Sequence, residues 1–158
     1  MLDISTTLRH YKRPDVQKEI ILGAKDREVG IRYKDKGFGK RPDVLLNEMD
    51  VLELAKQGAT SFHVSEERWT NPLHISTDLN RKEIQDLRCG WDLVLDIDCP
   101  VWKYSKLITH LLIKALKDHG INYISCKFSG NKGFHIGVPF EVMPKEVIDN
   151  MKKVSCAA

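Results

Sequence analysis

Trp91-Asp92-Leu93-Val94-Leu95-Asp96-Ile97-Asp98 is the stretch that decides the fold, because it joins a strongly apolar segment to two closely spaced acids. Its apolar residues form a nearly continuous run, which is typical of a central strand that is buried on both faces of a sheet. The sequence therefore predicts a strand over 91–98, in the middle of a sheet, with polar chemistry at its carboxyl end.

The two acids of this stretch are expected to point the same way. Side chains alternate along a strand, so Asp96 and Asp98 project from one face. Two carboxylates held together repel each other unless a cation lies between them. Mg²⁺ and Mn²⁺ prefer oxygen ligands of this kind, and paired metals of this type stabilise both oxygens in phosphoryl transfer. A solvated strand end with two incidental acids is the alternative.

A polar turn with two glycines lies further along the chain, between two predicted strands: Ser129-Gly130-Asn131-Lys132-Gly133-Phe134-His135. Glycines let a backbone approach a ligand closely, and successive N–H groups in such a turn can bind an anion. Lys132 adds a positive charge, Ser129 adds a hydroxyl donor, and His135 can reach toward the turn. This set suits a nucleoside triphosphate, although the pattern is not that of a Walker loop. An ordinary hairpin turn is the alternative.

The remaining sequence predicts a mixed α+β chain. Apolar spacing and start and stop signals predict helices and strands in alternation. Helices are predicted over 13–24, 43–57, about 77–89 and 101–120, and after Pro144, strands over 27–33, 61–65, 121–128 and 134–140, and a connection over 66–80. The helix over 101–120 has an apolar stripe, which we expect to face the core. It joins the strand of the acids to the hairpin of the turn, so the two motifs are expected to be neighbours in the sheet.

Length, hydropathy, cysteine spacing and net charge limit the classes of protein to which this chain can belong. A chain of 158 residues favours a single domain. No apolar run reaches the roughly 20 residues that cross a bilayer, so we expect no membrane partner and a cytoplasmic location. The four cysteines lack zinc-site spacing, so no zinc site is expected. A net charge of +3 neither requires nor excludes nucleic acid, and the tryptophans could stack bases or simply pack.

Residues 91–140 resemble the archaeo-eukaryotic primase superfamily, and most closely the small catalytic subunit of archaeal DNA primase. The family's Asp-x-Asp motif corresponds to Asp96-Ile97-Asp98, and its Ser-Gly-x-x-Gly-x-His motif corresponds to residues 129–135. Lys132 and Val138-Pro139 also resemble the polymerase domains of bacterial end-joining DNA ligases. The first half is similar more loosely, through Arg27-Glu28, Phe62-His63-Val64-Ser65 and Asn71-Pro72.

This resemblance implies one primase-polymerase catalytic core over 1–158, truncated at its C-terminus. It implies an N-terminal α/β unit over about 1–75 and an RRM-like sheet over about 90–158. The implied activity is metal-dependent, templated nucleotidyl transfer that synthesises RNA or DNA primers in replication. The implied partners are nucleoside triphosphates, a single-stranded DNA template, a primer strand and a primase large subunit. The implied residues are Asp96 and Asp98 for Mg²⁺ or Mn²⁺, Ser129, Gly130, Lys132, Gly133 and His135 for the nucleotide, and Arg27, His63 and Ser65 in support.

One departure from the family keeps other functions open. The family has a third carboxylate on a later strand, whereas Glu141, Glu146 and Asp149 are the only acids after the histidine, and none is a convincing match. A catalytically incomplete module that binds nucleotide or nucleic acid is therefore the alternative function. A phosphodiesterase that uses the same two acids is a third.

Overall fold

The computed structural model describes residues 3–34 and 36–149. Helices alternate with small antiparallel sheets, so the predicted α+β class is confirmed. The chain forms two compact units, one before Gly90 and one from Gly90 onward. None of the helices in the described ranges is both long and apolar enough to span a membrane.

The N-terminal unit contains helices and strands in nearly regular alternation. Its elements are α1 (Ile4–Tyr11), α2 (Pro14–Ala24), β1 (Val29–Tyr33), β2 (Gly37–Phe38), α3 (Glu48–Lys56), β3 (Ala59–Val64), β4 (Glu67–Trp69), a 3-10 turn (Pro72–His74), α4 (Arg81–Leu87) and the start of β5 (Arg88–Trp91). Strands β2, β1 and β3 form one antiparallel sheet in that order, and β4 pairs with β5. The core lies around Val29 and Ile31 of β1, which pack with Val51 of α3.

Three predictions for this unit need correction. The helix expected from residue 43 begins only at Glu48, because the Asn47 side chain caps it together with Asp50. The expected connection over 66–80 contains β4 and the 3-10 turn, since short strands carry too few residues to show a period. Helix α4 is capped by Asn80 rather than by Thr77 or Asp78.

A buried carboxylate in this unit is neutralised by an arginine. The Glu28 side chain is only 7% exposed, and the Arg41 guanidinium donates two hydrogen bonds of 2.6 Å to its oxygens. These hydrogen bonds and the negative charge of Glu28 raise the pKa of Arg41 above its ordinary value. The pair therefore fixes the loop after β2 to the start of β1.

The C-terminal unit places one helix against a small sheet. After the end of β5 it contains β6 (Leu93–Asp98), α5 (Trp102–Asp118), β7 (Ser125–Phe128), β8 (Gly133–Val138), a 3-10 turn (Phe140–Val142) and a helix over 145–149. The sheet order is β6-β8-β7, and both pairings are antiparallel. The β7–β8 hairpin and the helix after Pro144 were predicted.

Strand β6 is not the central strand that its apolar run predicted. In the described part of the chain, β6 is an edge strand that pairs with β8, and Val94 is 47% exposed. The central strand is β8, where Ile136 and Val138 are almost fully buried. An apolar run reports the total hydrophobicity of a strand, but its place in the sheet depends on partners that are distant in sequence.

The apolar stripe of α5 faces the core only in part. Leu107, Ile108 and Leu111 are 41–53% exposed, whereas the fully buried side of the helix carries Ser105 and Thr109. The helix lies close to β8 on this side, and small side chains permit that approach. Helical spacing identified the period correctly, and Leu116 of the stripe packs against the core, but the side of the helix that is fully buried is the one with Ser105 and Thr109.

Candidate nucleotide-binding site

The strand register of the C-terminal unit brings the acid pair beside the glycine turn. Asp96 lies opposite His135, and Asp98 lies opposite Gly133. The Nε2 atom of His135 is 3.4 Å from Oδ1 of Asp96. The predicted neighbourhood of the two motifs therefore exists as a direct cross-strand pairing.

A lysine that the sequence reasoning missed shares this face of the sheet. Lys127 on β7 lies directly opposite His135, which in turn lies opposite Asp96. Residues opposite each other in an antiparallel sheet point to the same face, so a cation, an imidazole and a carboxylate form one row. Lys127 is exposed and has no ion-pair partner among the described residues. Side-chain alternation across the β7–β8 hairpin places Lys127 on the same face as His135, and this pattern could have predicted it from the sequence.

The glycine turn is held in shape by its first residue. The Ser129 hydroxyl oxygen accepts hydrogen bonds from the N–H groups of Gly133, at 3.1 Å, and Asn131, at 3.4 Å. Two of the N–H groups expected to bind an anion are thus satisfied internally. The N–H groups of Gly130 and Lys132 have no partner within the described ranges, and the Ser129 proton is left as a donor. Gly130 has a φ of +92°, a conformation that favours glycine.

Gly133 lets the turn approach β6 more closely than any other residue could. A Cβ atom at this position would lie 1.7 Å from the carbonyl oxygen of Ile97. No contact of that length is possible, so a side chain would force the two strands apart. The glycine therefore sets the distance between the turn and the acid pair.

Ser105 joins the two loops that carry the site. Its fully buried hydroxyl lies 2.8 Å from the carbonyl oxygen of Lys132 and 3.2 Å from that of Cys99. The hydroxyl has one proton, so the shorter contact is the stronger hydrogen bond. Thr109, one turn along α5, donates a 2.7 Å hydrogen bond to the Ser105 carbonyl. In the sequence, two small polar residues spaced four apart in α5 were the pattern that could have predicted a close contact on this side of the helix.

The donor set fits a hard divalent cation that also binds substrate. Asp96 and Asp98 are both exposed, and their carboxylates share one face of the sheet. The described residues contain no group of three or more His, Cys, Asp or Glu side chains placed to hold a metal. Hence none of Glu141, Glu146 and Asp149 completes the acid pair. Mg²⁺ is commonly held by one or two carboxylates together with water and substrate phosphates, which agrees with an open two-acid site.

The three supporting residues of the sequence prediction belong to the N-terminal unit. Arg27 is buried, and its guanidinium donates hydrogen bonds to the carbonyl oxygens of Ser65, at 2.7 Å, and Glu66, at 3.2 Å. Ser65 lies just beyond β3 and accepts a hydrogen bond from the Glu28 N–H group. The Nε2 atom of His63 lies 2.9 Å from the Ser61 hydroxyl. The contacts of Arg27 and Ser65 order the segment between β3 and β4.

Comparison with known proteins identifies the fold. No protein-family model matches the chain. A Methanocaldococcus jannaschii protein named as uncharacterized is 42% identical over 60 residues, which is 37% of this chain and 14% of that protein. Among solved structures, the polymerase domain from Mycobacterium tuberculosis Ligase D in complex with DNA superposes with a TM-score of 0.62 and 18% identity. The match covers 86% of this chain and 55% of the other.

The chain has the fold of a polymerase domain, as its motifs predicted, and spans about half the length of the solved chain. The specific likeness to the small subunit of archaeal primase stays a prediction.

Proposed function

We propose that this chain is the catalytic core of a metal-dependent nucleotidyltransferase of the primase-polymerase type, which adds nucleotides to a primer strand on a nucleic acid template. The observation that carries the proposal is the cross-strand arrangement of the acid pair, His135 and the glycine turn on one face of the sheet. Carboxylates for metal ions and donors for phosphates are thereby adjacent, as phosphoryl transfer requires.

Asp96 and Asp98 are the residues that would hold Mg²⁺ or Mn²⁺. A metal ion held there would supply activation of the primer's 3′-hydroxyl and neutralisation of charge on the phosphates. The protein's own part is to keep both carboxylates on one face and in solvent, where they can exchange water for substrate oxygens. The Nε2 atom of His135 lies 3.4 Å from Oδ1 of Asp96, so both side chains can reach one ligand on this face.

The glycine turn and its neighbours would bind the triphosphate. The donors that remain for phosphate oxygens are the N–H groups of Gly130 and Lys132, the Ser129 hydroxyl and the Lys132 ammonium group. Gly133 provides the close approach, and His135 and Lys127 add donors on the side of the acid pair. Charge-assisted hydrogen bonds of this kind position the reacting phosphate while they offset its charge.

The proposal includes the wider set of partners. These are nucleoside triphosphates, a single-stranded DNA template, a primer strand and, by the family resemblance, a primase large subunit. Primer synthesis in replication is the corresponding role. Arg27, His63 and Ser65 are proposed to support the reaction from the N-terminal unit.

The test is a calorimetric titration of a nucleoside triphosphate in the presence of Mn²⁺. The wild-type chain should bind, and Asp96→Asn should lose the metal-dependent part of the affinity. Asp118→Asn is a matched control, because Asp118 is an exposed acid at the far end of α5. If Asp96→Asn bound as tightly as wild type, the assignment of the metal ligands would be wrong.

A second function is favoured by the absence of a third acid near the pair in the described residues. In this alternative the chain binds nucleotide or nucleic acid with the help of metal but performs no chemistry. Primer extension with Mn²⁺ on a primed template, assayed with the wild-type chain and with Asp96→Asn, separates the two. Nucleotide incorporation that depends on Asp96 excludes the binding module, whereas tight binding of the nucleotide without incorporation excludes the polymerase.

A further inference from the structure

Three aromatic rings form a cluster at the end of the C-terminal sheet that holds the glycine turn. Trp102 stacks on Phe134 with ring centroids 5.1 Å apart and an interplanar angle of 30°. Phe128 meets the Trp102 ring edge-on at 5.4 Å and 88°. We call Trp102, Phe128 and Phe134 the aromatic cluster.

The cluster holds its rings in place yet leaves them accessible. Trp102 is 48% exposed and Phe128 is 50% exposed. A ring that served only to fill the core would lose most of its surface, because burial is what makes aromatic packing favourable. Rings that are already ordered lose little entropy when a ligand stacks on them. The cluster is therefore suited to bind a flat ligand.

A cavity of about 400 Å³ beside the cluster continues this surface to the glycine turn. It is lined by Cys99, Pro100, Trp102, Phe128, Asn131 and Lys132. None of these residues is acidic, and Lys132 adds a positive charge. Lys103 and Lys106, both exposed, follow Trp102 on the first turns of α5, so the surroundings favour an anionic ligand.

This cavity is separate from the acid pair. Phe134 and His135 are consecutive in β8, so their side chains point to opposite faces of the sheet. His135 lies on the face of Asp96, and the aromatic cluster lies on the other. The glycine turn borders both faces. The cavity and the proposed nucleotide site therefore lie on opposite sides of this turn.

We infer that this cavity binds an unpaired base of a single-stranded nucleic acid, with the base stacked on Trp102 and Phe128. Proteins that bind single strands combine exposed aromatic rings with basic side chains that follow the phosphates. The aromatic cluster supplies the rings, and Lys103, Lys106 and Lys132 supply the charge. The inference deepens the proposed function, on which it rests for the single-stranded partner, and its test requires neither metal binding nor catalysis.

The experiment measures the fluorescence anisotropy of a short labelled oligothymidylate in the presence of EDTA. Stacking contributes about 1–3 kcal/mol per base, so Trp102→Leu and Phe128→Leu should each weaken binding by roughly 5- to 150-fold. Phe128→Tyr keeps the ring and should retain the affinity. An abasic oligonucleotide of the same length should bind weakly to the wild type and be affected little by these substitutions.

Three outcomes would overturn the inference. The first is a folded Trp102→Leu or Phe128→Leu chain that binds the oligothymidylate as the wild type does. The second is an equal loss of affinity for the abasic strand, which would mean that only phosphates are contacted. The third is a loss of affinity of Trp102→Leu or Phe128→Leu for a free nucleoside triphosphate in the presence of Mn²⁺. That result would mean that the cavity binds the base of the incoming nucleotide and not a base of the strand. The oligothymidylate is titrated without metal, so this experiment does not depend on the proposed metal site. A failure of Asp96→Asn to affect nucleotide binding would contradict the proposed function but not the cavity inference.

Discussion

The Ser105 hydroxyl, fully buried in the first half of α5, donates a 2.8 Å hydrogen bond to the carbonyl oxygen of Lys132 in the glycine turn. The same hydroxyl lies 3.2 Å from the carbonyl oxygen of Cys99, directly after the acid pair. One small side chain thus ties the loop of the proposed metal ligands to the loop of the proposed phosphate donors. The geometry of the site depends on a residue that we do not expect to touch substrate.

Ser105→Ala should weaken nucleotide binding and lower stability together. Losing the donor leaves the Lys132 carbonyl oxygen without its partner at a part-buried position, which costs about 1 kcal/mol. Thr109→Val is the matched control, since it removes a buried hydroxyl from the same helix that reaches neither loop. Both variants should unfold at lower urea concentration, but Ser105→Ala alone should lose affinity in the calorimetric titration. Equal losses of affinity would show that the effect comes from α5 as a whole.

Gly133→Ala should be far more damaging than Gly137→Ala in the same strand. At Gly133 the new Cβ atom would collide with the Ile97 backbone, which cannot move without separating β6 from β8. At Gly137 the nearest atom is the Ser125 Oγ, 2.7 Å away, and this side chain can rotate. We expect losses of about 3 kcal/mol or more for the first and about 1 kcal/mol for the second, measured by urea unfolding. Similar stabilities would mean that the turn has room beside β6.

Lys127→Ala should weaken binding of a nucleoside triphosphate, because it removes from the row of Asp96 and His135 a cation that has no ion-pair partner among the described residues. An exposed charge at this range contributes about 1 kcal/mol, so the affinity should fall roughly fivefold, and less at high salt. Lys117→Ala is the control and should have no effect, because Lys117 lies in the last turn of α5 and the site lies near the first turn. Titrations at two salt concentrations give the comparison, and an affinity that did not respond to Lys127→Ala would place the triphosphate elsewhere.

Arg41→Met should destabilise the N-terminal unit, because Glu28 would remain buried without its guanidinium partner. Arg41 is itself 59% exposed, so solvent screening keeps the expected loss to about 1–2 kcal/mol. Adding Glu28→Gln should recover part of that loss by removing the charge. The two single variants and the double variant, compared in urea, give the coupling free energy. Strict additivity would contradict a direct interaction.

A polymerase-type site should leave single-stranded DNA intact in the presence of Mn²⁺. The site would then direct a 3′-hydroxyl to the α-phosphate of a nucleoside triphosphate, with release of pyrophosphate, and would not direct water to a phosphodiester of DNA. Incubation of the purified chain with end-labelled DNA, analysed on a gel, tests this. Cleavage that disappears in Asp98→Ala would favour the phosphodiesterase alternative.

Most of the secondary structure around the site in the C-terminal unit could be predicted from the sequence. The strand of the acid pair, the helix that follows it and the hairpin around the glycine turn all have short-range causes: side-chain alternation, helical period and turn-forming glycines. The neighbouring placement of Asp96 and His135 also followed, since strands joined through one helix usually lie close together. The specific roles of these residues remain predictions.

Other features of the site carry only weak signals in the sequence. Lys127 and Ser105 carry no motif, and each matters only because of what lies opposite it: His135 across the sheet and the Lys132 carbonyl across a helix contact. The position of β6 at the edge of its sheet likewise depends on which strand pairs with it.

The sequence by itself determined most of the longer helices and strands, the placement of two acids on one strand face and the glycine turn that follows them. These depend on residues a few positions apart, whose geometry is fixed by strand and turn conformation. Only the tertiary structure decided the edge position of β6, the face of α5 that is buried and the contacts of Ser105 and Lys127. Those features are set by contacts between residues far apart in the chain, and packing at each contact selects one partner among many that local sequence allows.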